Sequence, residues 1–248
     1  MRNRLLNLFT CNAKVGGGIR AEGNVIYLYD YIAGSESEAQ WWGGISAEGF
    51  TRQLLAMNGD VSVRIDSPGG DVFGGRAIAQ AIREYDGKVT CHIDGLAASA
   101  ASYIAISGDH VVAAPGAFMM IHRAWTLMIG NSADFRAEAD LLDKIDASIA
   151  ASYAAKAGGE TDWIAMMDKE SWFTGDEAMA LGLIDEVLSE QSEKAGKLAK
   201  KGWNLSAFDH PPVAKIVSEP APPQPDGDKD AIATRERRLR VDLLTRTA

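Results

Sequence analysis

Ser99 lies in Asp94-Gly95-Leu96-Ala97-Ala98-Ser99-Ala100-Ala101-Ser102, a run of very small residues just after the β-prone stretch Val89 to Ile93. A hydroxyl that attacks a carbonyl needs space around it and N–H donors for the oxyanion that develops. Small neighbours at a strand-to-helix junction supply the space, and the helix start supplies the donors. A close-packed Ala/Ser helix capped by Ser99 reads the same way, so this run alone decides nothing. His122 closes Met119-Met120-Ile121-His122 at the end of another apolar stretch, where an imidazole can take up a proton near neutral pH. A lone histidine is more often structural, and that reading covers His92, His110 and His210. The third segment is Ile65-Asp66-Ser67-Pro68-Gly69-Gly70-Asp71, whose paired glycines can bring backbone N–H groups close to a ligand atom. A tight turn without chemistry uses the same residues.

These segments sit among alternating helices and short buried strands. Val25 to Tyr29 reads as a strand, followed by a loop over Gly34 and the acidic stretch Ser35 to Glu38. Ser46 to Asn58 is helical with Ser46 placed to cap it, and Val61, Val63 and Ile65 alternate as a strand. The pattern repeats with a helix from Gly74 to Glu84, a strand from Lys88 to Ile93, a helix from Ala97 to Ile106, a strand from Val111 to Ala113 and, after the Pro115-Gly116 turn, a strand from Phe118 to His122. Such alternation predicts a layered α/β domain with a mainly parallel sheet. The longest helical signal runs from Ser132 to about Ala157, with Phe135, Leu142, Ile145, Ile149 and Tyr153 recurring at helical intervals until Gly158-Gly159 stops it. A helix of roughly 24 residues reaches about 36 Å, more than the body of a small domain requires. It is expected to project or to pack on another subunit.

The chain has 248 residues, 46% of them hydrophobic, enough for one catalytic domain with tails. A net charge of -9 argues against binding nucleic acid by phosphate neutralisation. Cys11 and Cys91 are too few for a disulfide framework and too far apart for a zinc pattern, so both are expected as free thiols in a reducing compartment. Met1 to Thr10 carries no apolar run long enough for a signal sequence or membrane span, which makes a cytoplasmic protein the plain expectation. Residues 1–24 read as an arm, 25–190 as the catalytic domain and 191–248 as a tail. The tail is Lys-rich and then Pro-rich and is expected to be disordered, with a possible short basic helix between Asp230 and Thr245.

In their order and spacing, the SPGG turn, the Gly95-to-Ser99 segment, Met120-Ile121-His122, the long helix, and Trp172-Phe173-Thr174-Gly175-Asp176-Glu177-Ala178 with Gly182-Leu183-Ile184-Asp185 resemble the Clp peptidase (ClpP) family. The resemblance covers about Val25 to Val187. It implies the α/β spiral of β-α units shared by ClpP and crotonase enzymes, with the long helix as a handle joining rings of subunits. It places Ser99 on the nucleophile, His122 on the general base, and Gly70 and Ala100 on the two residues whose N–H groups form the oxyanion hole. The third triad position falls on Glu170 where the family usually has aspartate; Asp168 competes, while Asp185 fits a structural turn. No metal or organic cofactor is implied.

Within the family, Tyr27-Leu28-Tyr29-Asp30, Trp41-Trp42-Gly43-Gly44, Gly69-Gly70-Asp71-Val72-Phe73, Ala124-Trp125-Thr126, Leu141 to Asp146 and Glu170-Ser171-Trp172-Phe173-Thr174 resemble the phage head maturation (prohead) proteases. That branch implies processing of capsid or scaffold segments, with no nucleic-acid or membrane partner. The arm before Val25 departs from the housekeeping enzyme, which puts an ATPase partner in doubt. The alternatives are a housekeeping-type Clp peptidase working with an ATPase, an inactive assembly scaffold of the same fold, and an acyl-CoA enzyme of the crotonase type. The related signal-peptide peptidases use a serine and lysine pair, from which His122 points away.

Overall fold

The computed structural model describes Leu8, Asn12, residues 19–189 and residues 203–212. Its spine is a run of parallel strands: β2 (Val25–Leu28), β5 (Val61–Ser67), β6 (Val89–Ala98), β7 (His110–Ala113) and β10 (Glu186–Val187), in that spatial order. β1 (Arg20–Glu22) folds back antiparallel on β2. Parallel neighbours need a crossover. Here α2 (Ala47–Leu55), α3 (Val72–Arg83) and α4 (Ala100–Ala105) supply it, and they bury Phe50, Leu54, Ile78, Ile82 and Ile104 against Val63, Ile65, Cys91 and Ile93 of the strands. A fully buried side chain of this size contributes about 1.5–3 kcal/mol. A short parallel pair, β3 (Ile32–Ala33) with β4 (Ile45–Ser46), flanks α1 (Glu36–Trp42).

β6 is shared between two partners. Its first half, Thr90 to Ile93, pairs with β7, and its second, Leu96 to Ala98, pairs with β8 (Phe118–Ile121), which is antiparallel to β9 (Ser171–Thr174). The change of partner falls at Asp94-Gly95, where a Cβ on Gly95 would stand 3.0 Å from Asp66 Oδ1. On this second blade, Leu96, Ala98 and Met120 form an apolar cluster with Leu8, Ala207 and Phe208.

α5 (Ser132–Ala157) starts at an Asn131 capping box and stops at Gly158, as its sequence predicts. Its buried residues, Ile145, Asp146, Ala150 and Tyr153, all lie in its second half, where Tyr153 packs on Trp163 of α6 (Trp163–Asp168). The first half projects with Phe135 and Leu141 exposed. After β9 comes α7 (Gly175–Ala180).

Local readings of the sequence shift in four places. The predicted loop at Ser35 to Glu38 opens α1, because the Ser35 side chain caps the N–H of Glu38. The helix predicted from Ala97 starts at Ala100, because Ala97 and Ala98 are held as strand between β5 and β8. The helix read from Gly74 begins at Val72, capped by Asp71. The expected arm ends in β1, and Trp203 to Pro212 of the expected tail lies among the described residues, with Ala207 and Phe208 buried. The Pro-rich stretch beyond residue 212, the basic helix and Cys11 fall outside the described residues. Cys91 is a free thiol pushed up to about 12 by burial.

Candidate active site

The Ser99 segment is held from three sides. Ser99 takes φ 53° at the junction of β6 and α4, a left-handed conformation that costs a non-glycine residue about 1–3 kcal/mol and persists only where its surroundings fix it. Its N–H donates to the Met120 carbonyl at 2.9 Å, which ties it to β8. Its own carbonyl accepts from the Ser102 N–H at 3.0 Å and the Ser102 hydroxyl at 2.6 Å, and that hydroxyl also meets the buried Tyr153 hydroxyl at 2.8 Å. The turn is thereby coupled to the docked half of α5.

The strand register delivers the histidine. Ala98 pairs with Met120, so the residues just past β6 and β8 emerge together, and His122 Nε2 lies 2.8 Å from Ser99 Oγ. Trp125 packs edge-on against the imidazole at 4.4 Å and Phe208 at 5.7 Å between ring centres. Burial lowers the His122 pKa to about 4. At neutral pH the ring is therefore uncharged and can accept a proton. Its Nδ1 is buried without a hydrogen-bond partner among the described residues.

The Gly69-Gly70 turn is pressed against both. Gly69 has φ 88°, and a Cβ there would lie 2.7 Å from Ser99 Cβ and 2.9 Å from the Ala100 nitrogen. Gly70 has φ 148°, and a Cβ there would lie 2.2 Å from the Ile32 carbonyl oxygen. No L side chain fits either place. β3 clamps the turn, since Ile32 N–H donates to the Gly69 carbonyl at 2.8 Å and Asp71 N–H to the Ile32 carbonyl at 2.9 Å. The turn bearing Gly70 and the helix start at Ala100 are thus in direct contact beside the Ser99 hydroxyl. A pocket opens there, lined by Val72, Arg76, Ser99, Ala100, Tyr103, His122 and Ala124, with Ile149 and Tyr153 from α5.

The carboxylates stand apart from this pair. Ile121 pairs with Ser171 in the β8–β9 ladder, which puts Glu170 across from His122. Glu170 is buried at φ 51°, but its carboxylate accepts from Trp172 Nε1 at 3.1 Å and from the backbone N–H groups of Asp209 at 2.8 Å and His210 at 2.7 Å, with no hydrogen bond to the imidazole. Asp168 is exposed and bonded to Arg123, which lowers its pKa. Arg123 also reaches Asp143 and the buried Asp146, each at 3.3 Å, and Asp146 accepts from the Ala124 N–H at 2.8 Å. Asp185 accepts from Val111 N–H and Lys156 Nζ, each at 2.7 Å, a structural tie. His92 and His110 lie on β6 and β7 away from the pocket.

Sequence reasoning therefore reaches the Ser99–His122 contact and the glycine turn, and misses the Phe208 to His210 backbone beside Glu170. The signal was present in two aromatic residues, Trp203 and Phe208, within an otherwise Lys- and Pro-rich tail.

Comparison with known proteins bears on the family and the fold. Residues 44–191 match the Clp protease family model. An ATP-dependent Clp protease proteolytic subunit 3 from Rhodococcus jostii is 31% identical over 55% of this chain and 69% of its own length. A subunit of the same name from Streptomyces coelicolor is 30% identical over 60% of this chain and 72% of its own. A solved ClpP1 variant from Listeria monocytogenes superposes with a TM-score of 0.57 at 22% identity, covering 68% of this chain and 93% of that one, and so supports the fold. With the family model matched over more than half its length, the chain belongs to the Clp protease family.

Proposed function

We propose that this protein is a serine endopeptidase in which Ser99 is the nucleophile and His122 the general base. The 2.8 Å contact between the Ser99 hydroxyl and an uncharged imidazole nitrogen carries the reading. As Ser99 attacks a peptide carbonyl, His122 Nε2 takes the hydroxyl proton and then passes it to the leaving amine; water, deprotonated by the same imidazole, releases the acyl group. The N–H groups of Gly70 and Ala100 are the oxyanion donors. Glu170, across the ladder from His122, is the acid that completes the triad when its carboxylate turns to Nδ1, and Asp168 is the weaker candidate because Arg123 already holds it.

The substrates are proteins, and the exposed apolar residues of the projecting half of α5 suit a ring-forming contact between subunits. The names of the relatives favour a Clp peptidase that works beside an ATPase. The capsid-processing reading has support only from the short motifs shared with head maturation proteases. The bare Nδ1 of His122 is the one observation that favours an inactive scaffold. Incubating the full chain with a fluorogenic peptide and an unfolded protein separates these readings. Cleavage that falls at least about 10³-fold in Ser99→Ala supports the peptidase, and cleavage unchanged by that substitution overturns it.

A further inference from the structure

Resting on the peptidase reading, we propose that the aromatic surface beside His122 is a peptide-docking site whose occupant is the chain's own Trp203–His210 segment, and that this segment, while seated, withholds Glu170 from the catalytic imidazole. Phe208 is buried against three partners at once: His122 and Trp172 at 5.7 Å and Trp125 at 5.5 Å between ring centres. The next two backbone N–H groups occupy both oxygens of the Glu170 carboxylate. A carboxylate so satisfied gains little by turning away, which leaves the Nδ1 of His122 buried and bare. The rest of the segment is fastened at distant points. Trp203 Nε1 donates to Asp66 at 2.9 Å, and Asn204 exchanges hydrogen bonds with Asn12, N–H to Oδ1 at 2.9 Å and Nδ2 to carbonyl at 3.0 Å. None of these residues lines the pocket beside Ser99. The latch thus acts on the acid and leaves the substrate's approach open.

The test uses the full chain and two single substitutions, Phe208→Ala, which removes the ring, and Asp209→Pro, which removes one donor to Glu170. Ser99 labelling by a fluorophosphonate and peptide hydrolysis are both followed. Release is expected to raise each rate at least about tenfold, to move the acid limb of the pH profile upward as a carboxylate reaches the imidazole, and to be cancelled when Glu170→Gln is added. A synthetic peptide of residues 203–210 is expected to reverse the gain. Reactive Ser99 at a rate indifferent to both substitutions overturns the latch alone, whereas Ser99 unreactive in every variant overturns the peptidase reading and the latch with it.

A separate observation concerns substrate choice. Arg76 lines the pocket beside Ser99, and among the described residues its buried Nε has no hydrogen-bond partner and no carboxylate shares the pocket lining. The Tyr103 ring centre lies 5.8 Å from its guanidinium. A half-exposed guanidinium whose buried Nε keeps an open donor is completed by an anion. The geometry points to substrates that place an acidic side chain in this pocket, next to the scissile carbonyl. Hydrolysis of peptides carrying Glu, Gln, Leu or Lys at the residue that supplies that carbonyl tests this, with Phe208→Ala as background. Glu is expected to exceed Gln at least about tenfold in kcat/KM, a preference lost in Arg76→Met and turned toward Lys in Arg76→Glu. A ranking unchanged by both substitutions overturns the assignment, while hydrolysis absent from every peptide without loss of Ser99 labelling overturns it too.

Discussion

At the residue scale, the site depends on a few backbone conformations that the sequence marks and a few contacts that it hides. The pair at Gly69-Gly70 was legible because only glycine tolerates such angles, and both glycines lie within contact of β3 or of the Ser99 turn. Gly70→Ala is expected to lower labelling of Ser99 by at least about 10²-fold, since the clamp on Ile32 must open and one oxyanion donor moves away; a titration with fluorophosphonate measures it. His122 offers a check on protonation. Its pKa is lowered to about 4 in the folded chain against about 6.5 when unfolded, so its contribution to stability is complete above pH 6.5 and is lost as pH falls toward 4. Allowing for the solvent that reaches a half-buried side chain, that loss is on the order of 2 kcal/mol. His92, also lowered to about 4 by burial, adds a slope of the same sign. Urea midpoints at pH 4.5 and pH 7 should therefore converge, though not coincide, in His122→Gln.

At the scale of elements, alternation and capping predicted the order of strands and helices, while the path of β6 could not be read. A strand that pairs with β7 through Ile93 and with β8 from Leu96 leaves no mark in the sequence, because alternation reports which side chains are buried and not which strand lies alongside, and the break is only one aspartate and one glycine. Ala97 and Ala98 have high helix propensity, yet pairing holds them extended, Ala97 with both β5 and β8 and Ala98 with β8. The small residues that suggested room for a substrate also permit this close strand packing. The Ser102–Tyr153 contact links the nucleophile turn to α5, so Tyr153→Phe leaves the Ser102 hydroxyl with the Ser99 carbonyl alone. That change is expected to cost about 1 kcal/mol of stability and to slow Ser99 labelling more than it weakens binding of a reversible peptide inhibitor, which thermal melts and inhibition constants can separate.

At the scale of the whole molecule, the sequence announced a handle and two tails, and the structure gives them unequal roles. The projecting half of α5 follows from its length and its caps, with Phe135 and Leu141 left exposed. Surface of that kind suits the subunit contact proposed for it. Phe135→Asp with Leu141→Asp is expected to shift the assembled protein to a smaller species in sedimentation velocity, with the Ser99–His122 contact intact within each chain. The tail composition pointed to a passive linker, because hydropathy averaged over many residues hides one Trp and one Phe that pack on residues distant in sequence. The central claim is that Ser99 is activated by His122. The measurement that bears on it most directly is the site and rate of fluorophosphonate modification, found by mass spectrometry in the unaltered chain and in His122→Ala at pH 7. The account predicts a single adduct on Ser99 that forms at least about 10³-fold more slowly without the imidazole. An adduct elsewhere, or one on Ser99 formed equally fast in both proteins, contradicts it.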